Sequence, residues 1–310
     1  MADCQLCART HPDDGCCPKQ RTGQVLGGKY TLGPVLGIGG IAAVYAAEHP
    51  VLRREIAVKI LHERFAKDHE LSARFVREAR ETAAIGHPAF VRVYDAGTTQ
   101  DGCAFIEMDR LAGTELYSLR KQQGPFEPDR VTALAVQILD ALSALHARGV
   151  IHRDLKTQNI YVVPGDTGEQ IKLLDLGFAR VEDGLMLTSK DHILGTPFYI
   201  SPEQYVDPSG VDARADLFSL GIIMFELLVG DWPYEWQNKR DLLGKVMAGE
   251  LERHPAARRS DVPAWLDAIV ACALAKKRED RFASALAMKA ALEQREPPEK
   301  TGFLRRMFGR

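Results

Sequence analysis

The sequence predicts a bilobal α+β protein, with a small β-rich part followed by a larger helical one. Two observations carry this. Residues 30–36, 41–48 and 55–61 are short β-prone runs broken by glycine, the pattern of an antiparallel sheet. Beyond Gly113 the composition turns helical, and Val131, Leu134, Ala135, Ile138, Leu142 and Leu145 recur at helical spacing over residues 128–148.

The totals allow such a protein. The chain has 310 residues, 45% hydrophobic and 26% charged, enough for one large or two moderate domains with a sizeable core. A formal net charge of -2 argues against a general nucleic-acid binder, so no nucleic-acid partner is expected. The most apolar stretch, 217–229, is too short to span a bilayer and carries Glu226, so it reads as a buried core helix. The start, Met1-Ala2-Asp3-Cys4, lacks the basic-then-apolar pattern of a secretory signal, and a cytoplasmic location is expected.

Residues 1–20 form a segment of their own. Four of the six cysteines crowd there, and a disulfide framework is not expected in a reducing compartment. Cys4 and Cys7 have the knuckle spacing of a zinc site, with His11, Cys16 and Cys17 as further ligands. Cys16 and Cys17 are adjacent instead of repeating the knuckle, so two readings stand open, a Zn²⁺-bound mini-domain and a disordered thiol-bearing tail. Residues 21–29, polar and glycine-bearing, read as a linker.

Between the first two strands lies Gly37-Ile38-Gly39-Gly40-Ile41-Ala42-Ala43-Val44. Its glycines let backbone amides approach phosphate oxygens, and the flanking strands distinguish it from a turn that opens a helix. In the third run, Ala57-Val58-Lys59-Ile60, a lysine stands inside an apolar strand, where burial demands a charge partner. Residues 70–85 read as a helix whose face of Leu71, Phe75, Glu78, Ala79 and Thr82 supplies one in Glu78. Gly86-His87-Pro88 ends that helix, and runs 91–97 and 104–108 complete the sheet.

Helix 128–148 is a core pillar on which His146 needs no function. Then comes Ile151-His152-Arg153-Asp154-Leu155-Lys156-Thr157-Gln158-Asn159, a loop running into a strand at 160–163. It sets an acid, a base and an amide within six residues, so that a carboxylate can face an incoming hydroxyl while lysine and amide face phosphate and metal. A turn at 163–166 and a strand at 171–174 lead to Asp175-Leu176-Gly177, where a carboxylate at a strand's mouth can turn onto a hard cation such as Mg²⁺. After the segment 195–203 a helix begins at Asp216, and helices near 241–247, 264–274 and 283–293 follow. Residues 294–310 are a basic tail; Phe303, Leu304, Met307 and Phe308 would share a side if it were helical, and the readings are a frayed end or a membrane-surface or partner contact.

Over residues 30–293 the order of the glycine loop, Lys59, Glu78, Asp154, Asn159, Asp175 and Glu203 resembles bacterial Ser/Thr protein kinases of the eukaryotic-like type. The resemblance implies the protein-kinase fold and transfer of the γ-phosphate of ATP to protein Ser/Thr hydroxyls, autophosphorylation included. By similarity Gly37, Gly39, Gly40, Val44, Ala57, Lys59, Met108 as gatekeeper, and Asp109 to Leu111 as hinge would bind the nucleotide, with Glu78 pairing Lys59. Asp154 would orient the acceptor hydroxyl, Lys156 would steady the γ-phosphate, and Asn159 and Asp175 would hold Mg²⁺. Glu203 would pair with Arg281, and Asp216 would anchor the backbone of the catalytic loop. Lys156, and Thr196 before Pro197, match the Ser/Thr branch, and Thr188 or Ser189 resembles the family's modified site, facing Arg153 and Arg180. Ala42 for the third glycine, Leu176 for phenylalanine and Ser201 for alanine are departures. The alternatives are a pseudokinase scaffold, against which the intact Lys59, Asp154, Asn159 and Asp175 speak, and a small-molecule phosphotransferase, against which residues 195–203 speak.

Overall fold

The computed structural model describes residues 2–3, 10–11, 17–49, 51, 53–166, 168–176, 197–249 and 254–297. The chain divides into two compact units, Met1–Ala112 and Gly113–Arg310. A two-residue ladder near the N-terminus pairs β1 (Ala2–Asp3) with β2 (Thr10–His11).

The first unit is built on a six-stranded antiparallel sheet. Its strands are β3 (Val25–Leu26), β4 (Tyr30–Ile38), β5 (Ala42–His49), β6 (Arg54–Leu61), β7 (Val93–Thr98) and β8 (Ala104–Asp109), in the order β3-β4-β5-β6-β8-β7. Side chains alternate across a strand, so register decides which face each residue takes. Leu32, Ala43, Tyr45, Ala47, Ile56, Val58, Ile60, Cys103 and Phe105 fall on one face and form a buried cluster. Helix α1 (His69–Ile85) packs against β7 and β8. Its start is fixed by Asp68, whose side chain accepts from Leu71 N, and its end by Gly86 in the left-handed region at φ 66.

Residues 21–29 are not a linker. A short 3-10 turn, Pro18–Arg21, and strand β3 extend the sheet at its N-terminal edge, with Val25 opposite Thr31 and Leu26 opposite Tyr30. The buried Tyr45 hydroxyl donates to Pro18 O at 2.8 Å, Gly23 N to Leu32 O at 2.7 Å, and Leu32 N to Gln24 O at 2.9 Å. Arg21 forms an ion pair with Asp101 and donates to the buried Cys103 Sγ at 3.3 Å. The polar composition hid this because the stabilising partners are Tyr45, Asp101 and Cys103, far along the chain.

Cys17 belongs to the same edge. It is buried and lines a cavity of about 80 Å³ with Arg21, Tyr45, His62, Glu63 and Asp101. Cys4, Cys7 and Cys16 lie outside the described residues, and among the described residues no cluster of three or more His, Cys, Asp or Glu could hold a metal ion.

The second unit is mostly helical. Strand β9 (Thr114–Glu115) opens it, followed by α2 (Leu116–Gln123) and α3 (Pro128–His146), then a hairpin of β10 (Ile160–Gly165) and β11 (Gly168–Leu173). Gly113 must be glycine, since a Cβ there would stand 2.4 Å from Val162 O. After α4 (Pro202–Val206) comes α5 (Arg214–Val229), buried from Ala215 to Leu228 on every side as its unbroken apolar run requires. Helices α6 (Lys239–Ala248), α7 (Pro255–Arg258), α8 (Ala264–Ala273) and α9 (Ala285–Gln294) complete the unit, α9 packing on α3 and α8 on α5. Among the described residues no helix is long and apolar enough to cross a membrane. The basic tail lies outside them from residue 298.

Arg21→Ala should lower the free energy of unfolding by about 1–2 kcal/mol, the low end for a charge-assisted bond because Asp101 is partly solvated. Urea unfolding, compared with wild type, measures it. An unchanged midpoint would show that residues 17–26 ride on the sheet without supporting it.

Candidate active site

In the first unit the register gathers residues the sequence singles out. Lys59 lies opposite Val44 on β5 and Ile106 on β8, and Ala57 opposite Ala46 and Met108. Opposed and alternate residues share a face. Val44, Ala57, Lys59 and Met108 therefore stand together on the face opposite the buried cluster. Lys59 Nζ lies 5.5 Å from the ring centroid of Phe75 on α1, and Glu78, buried at 8% exposure, is three residues further along that helix. The strand lysine thus faces the helix that carries the glutamate.

The glycine loop is the bend from β4 into β5. Gly37 lies opposite Val44, and Gly39 N donates to Ala42 O at 2.8 Å. None of Gly37, Gly39 and Gly40 takes a positive φ, so the turn itself does not demand glycine. What glycine provides is bare backbone, with nothing among the described residues within 4 Å of where a Cβ at Gly37 would stand. Two residues unforeseen in the sequence hold the loop's carbonyls: His62 Nε2 bonds Gly39 O at 2.9 Å and Arg64 Nη2 donates to Gly40 O at 2.5 Å.

Asp109, opposite Ile56 and so on the face of the buried cluster, uses its side chain for structure. Its side chain accepts from Arg54 at 3.0 Å and from the Tyr94 hydroxyl, and its amide donates to Arg92 O at 2.9 Å. Leu111 follows the strand in irregular backbone.

In the second unit, residues 151–156 have no regular structure, and a 3-10 turn, Thr157–Asn159, joins them to β10. The fully buried Asp216 holds this loop. Its two oxygens accept from His152 N and Arg153 N, both at 2.9 Å, and His146 Nε2 bonds Oδ2 at 2.7 Å. His146 is therefore a support of the site and not merely part of a core helix. Gln204 Nε2 donates to Arg153 O at 2.8 Å, so both backbone polar groups of Arg153 are tied. These bonds sustain a left-handed Arg153 at φ 63, a conformation that costs a non-glycine residue about 1 kcal/mol or more.

Asp154 follows. Lys156 Nζ donates to its Oδ2 at 2.8 Å and Asn159 Nδ2 to the same oxygen at 3.0 Å. Two donors converging on one oxygen fix the plane of the carboxylate. The hairpin brings the other acid near: Ile160 pairs with Leu173, and Leu174 N donates to Asn159 O at 2.8 Å, setting Asn159 beside the backbone that leads into Asp175. Asp175 is also left-handed, at φ 49. Gly177 and residues 178–196, which include Arg180, Thr188, Ser189 and Thr196, lie outside the described residues.

A second buried network supports the loop. Thr157 Oγ1 shares a hydrogen bond of 2.7 Å with the Tyr199 hydroxyl, which donates to Glu226 Oε2 at 2.7 Å, and Arg120 Nη2 donates to Glu226 Oε1 at 3.0 Å. Burial and the Glu226 charge push the Tyr199 phenol well above its usual value, so it stays a donor. Glu203 and Arg281 form a bidentate pair at 2.6 and 2.8 Å. The remaining Arg281 donors go to the carbonyls of Ala275, Lys276 and Arg214.

A family model described as "Protein kinase domain" matches residues 30–294. Serine/threonine-protein kinase pkn3 of Myxococcus xanthus is 36% identical over 280 residues, covering 87% of this chain and 50% of that protein. Serine/threonine-protein kinase PknH of Mycobacterium bovis is 38% identical over 283 residues, 90% of this chain and 46% of that protein. The chain thus spans about half the length of these curated relatives. Among solved structures, the PknI kinase domain of Mycobacterium tuberculosis matches with a TM-score of 0.67 at 28% identity, over 88% of this chain and 98% of that one.

Burial sets the charge of His152. Its ring is fully enclosed, with neither nitrogen hydrogen-bonded among the described residues, and burial holds its pKa below the usual 6.5 against the opposing pull of Asp216, Asp154 and Asp175. The unfolded chain binds the proton the folded ring refuses, so this contribution is whole above about pH 6.5 and is lost as pH falls below it. The urea midpoint of wild type should therefore drop between about pH 7 and 5 more steeply than that of His152→Leu. Parallel profiles would mean that His152 does not carry the loss.

Proposed function

Because the chain belongs to the protein kinase domain family, we propose that it is a Ser/Thr protein kinase that transfers the γ-phosphate of ATP to protein hydroxyls, its own included. The observation that carries the reading is the Asp154 carboxylate, held by Lys156 and Asn159 on a loop whose backbone Asp216 fixes. Phosphoryl transfer requires placement and charge stabilisation more than covalent help from the protein. A carboxylate with its plane set in advance orients the acceptor hydroxyl and takes its proton as the oxygen attacks. Lys156 brings a positive charge to the γ-phosphate oxygens.

On the first unit, Val44, Ala57 and Met108 offer an apolar surface to a nucleotide base. Lys59 neutralises its α- and β-phosphates, with Glu78 as the partner that positions it, and Gly37, Gly39 and Gly40 present backbone to phosphate. Backbone recognition of the base falls to the hinge from Asp109 to Leu111, the N–H of Asp109 itself being engaged with Arg92 O.

The donor set of the second unit fits Mg²⁺. Asn159 spends its N–H group on Asp154, which orients its carbonyl oxygen outward from that bond, and Asp175 adds a carboxylate, both hard oxygen ligands. When bound, the ion would neutralise phosphate charge. Zn²⁺ at Cys4, Cys7, Cys16 and Cys17 has no support beyond their spacing, and the kinase reading does not need it. The substrates are proteins; a cytoplasmic setting agrees with the reading.

Asp154→Asn and Lys59→Met should each reduce phosphate transfer by about a hundredfold or more while unfolding like wild type. Transfer from labelled ATP with Mg²⁺ to a general protein substrate measures it. Undiminished transfer by Asp154→Asn would remove the assignment.

Control by phosphorylation belongs to the same proposal. A phosphate brings nearly two negative charges and three acceptor oxygens, suited to a guanidinium such as Arg153, whose backbone is already fixed. Peptide mapping after autophosphorylation should locate phosphate at Thr188 or Ser189, and the double alanine variant should turn over more slowly. Equal rates would exclude this control.

A further inference from the structure

The glycine loop is held from behind by residues that the proposed chemistry does not use. Three consecutive carbonyls turn toward the short stretch that follows β6. His62 Nε2 donates to Gly39 O at 2.9 Å, Arg64 Nη2 to Gly40 O at 2.5 Å, and His62 N to Ile41 O at 2.8 Å. His62 comes three residues after Lys59, so the loop is tied to the same run of chain that carries the lysine.

We propose that His62 and Arg64 are positioning residues for the phosphates of the nucleotide: they hold the peptide planes of the loop so that the N–H groups of Gly40, Ile41 and Ala42 face phosphate. This rests on the kinase reading and adds to it the residues that set phosphate affinity.

Peptide geometry carries the step from carbonyl to amide. The peptide bonds here are trans, so the C=O of one residue and the N–H of the next point in opposite directions. Fixing the carbonyls of Gly39, Gly40 and Ile41 therefore fixes the N–H groups of Gly40, Ile41 and Ala42, turned away from residues 62–64. The side of the sheet is given as well. His62 lines a cavity with Tyr45 and Ile60, both members of the buried cluster, so its ring stands on the cluster side. Lys59 stands on the opposite side. A Gly39 carbonyl drawn to the cluster side leaves the Gly40 N–H directed to the side of Lys59, where phosphate charge is neutralised.

Glycine is what makes such a clamp necessary. The peptide between Gly39 and Gly40 is flanked by two residues without Cβ, and it can rotate through conformations closed to other residues. Turned over, it would aim a carbonyl oxygen at phosphate, which repels it. The bond from His62 removes that alternative before nucleotide arrives, and donors fixed beforehand lose little freedom on binding. An accepted hydrogen bond also polarises the peptide, which makes its N–H a stronger donor.

The clamp is itself anchored. Glu63–Phe65 form a 3-10 turn in which Phe65 N donates to His62 O and Ala66 N to Glu63 O, both at 2.9 Å. The Arg64 guanidinium lies 4.8 Å from the centroid of the Phe65 ring. His62 is partly buried and Arg64 is exposed, where water and salt compete for its charge, so the histidine carries more of the effect.

The test compares binding of Mg-ADP and of adenosine to the full chain by calorimetry, since adenosine keeps base and ribose but has no phosphate. His62→Leu should weaken Mg-ADP by roughly three- to tenfold, the loss of one hydrogen bond, and leave adenosine as in wild type. In phosphate transfer the same variant should raise KM for ATP by a similar factor, with kcat and KM for the protein substrate little changed. His62→Gln, which keeps an N–H donor of similar reach, should restore both. Arg64→Ala should weaken Mg-ADP roughly threefold, again without effect on adenosine. If His62→Leu fails to fold, the exposed Arg64 decides. Wild-type affinity for Mg-ADP in the folded variants, or an equal loss of Mg-ADP and adenosine, overturns the clamp while leaving the kinase reading intact. A wild-type chain that binds neither Mg-ATP nor Mg-ADP removes the kinase reading, and the clamp with it.

Discussion

The second unit's chemistry depends on one buried carboxylate. Asp216 lies wholly out of water, where an unpaired charge would cost several kcal/mol. Its hydrogen bonds to the amides of His152 and Arg153 and to the His146 ring replace that water. In return the loop cannot relax: Arg153 stays left-handed, and Asp154 is delivered from a backbone with its polar groups already committed. Burial strengthens the arrangement, because polar bonds inside a protein act in a lower dielectric than at its surface.

The first unit reaches the same end by a different route. Its residues are set by strand register and not by polar bonds. Val44, Ala57, Lys59 and Met108 share a face only because β5, β6 and β8 pair as they do. The buried cluster on the opposite face locks that pairing, since a slip of one residue would turn Val58 and Ile60 outward. Tyr45, Ile56 and Phe105 thus keep Lys59 in place without touching the chemistry.

Residues that act locally were legible in the sequence. The strand-helix-strand order, the glycine loop, the loop at 151–159 and the unbroken apolar run of α5 all declare themselves through periodicity, turn residues or a short motif. What stayed hidden are partners separated by long stretches of chain. His146 looked like one more residue of a core helix because its bond to Asp216 is not written in α3. His62 and Arg64 follow β6 as ordinary polar residues, yet they hold carbonyls of the glycine loop. Residues 21–29 read as a linker for the same reason, the partners of Arg21 lying at Asp101 and Cys103.

The pairing of Glu203 with Arg281 sets a schedule for protein synthesis. Glu203 leaves the ribosome with its partner still 78 residues behind. At about 5–20 residues per second that interval lasts about 4–16 s. Until it ends, the turn carrying Ser201 and Gln204 holds a carboxylate that has no guanidinium to meet and must stay in water. Arg281 in turn arrives with every donor destined for backbone or carboxylate already made, so it can dock once and completely. The region around Gln204 and Arg153 is therefore finished late, and a nascent chain cannot complete it before the segment bearing Arg281 has emerged.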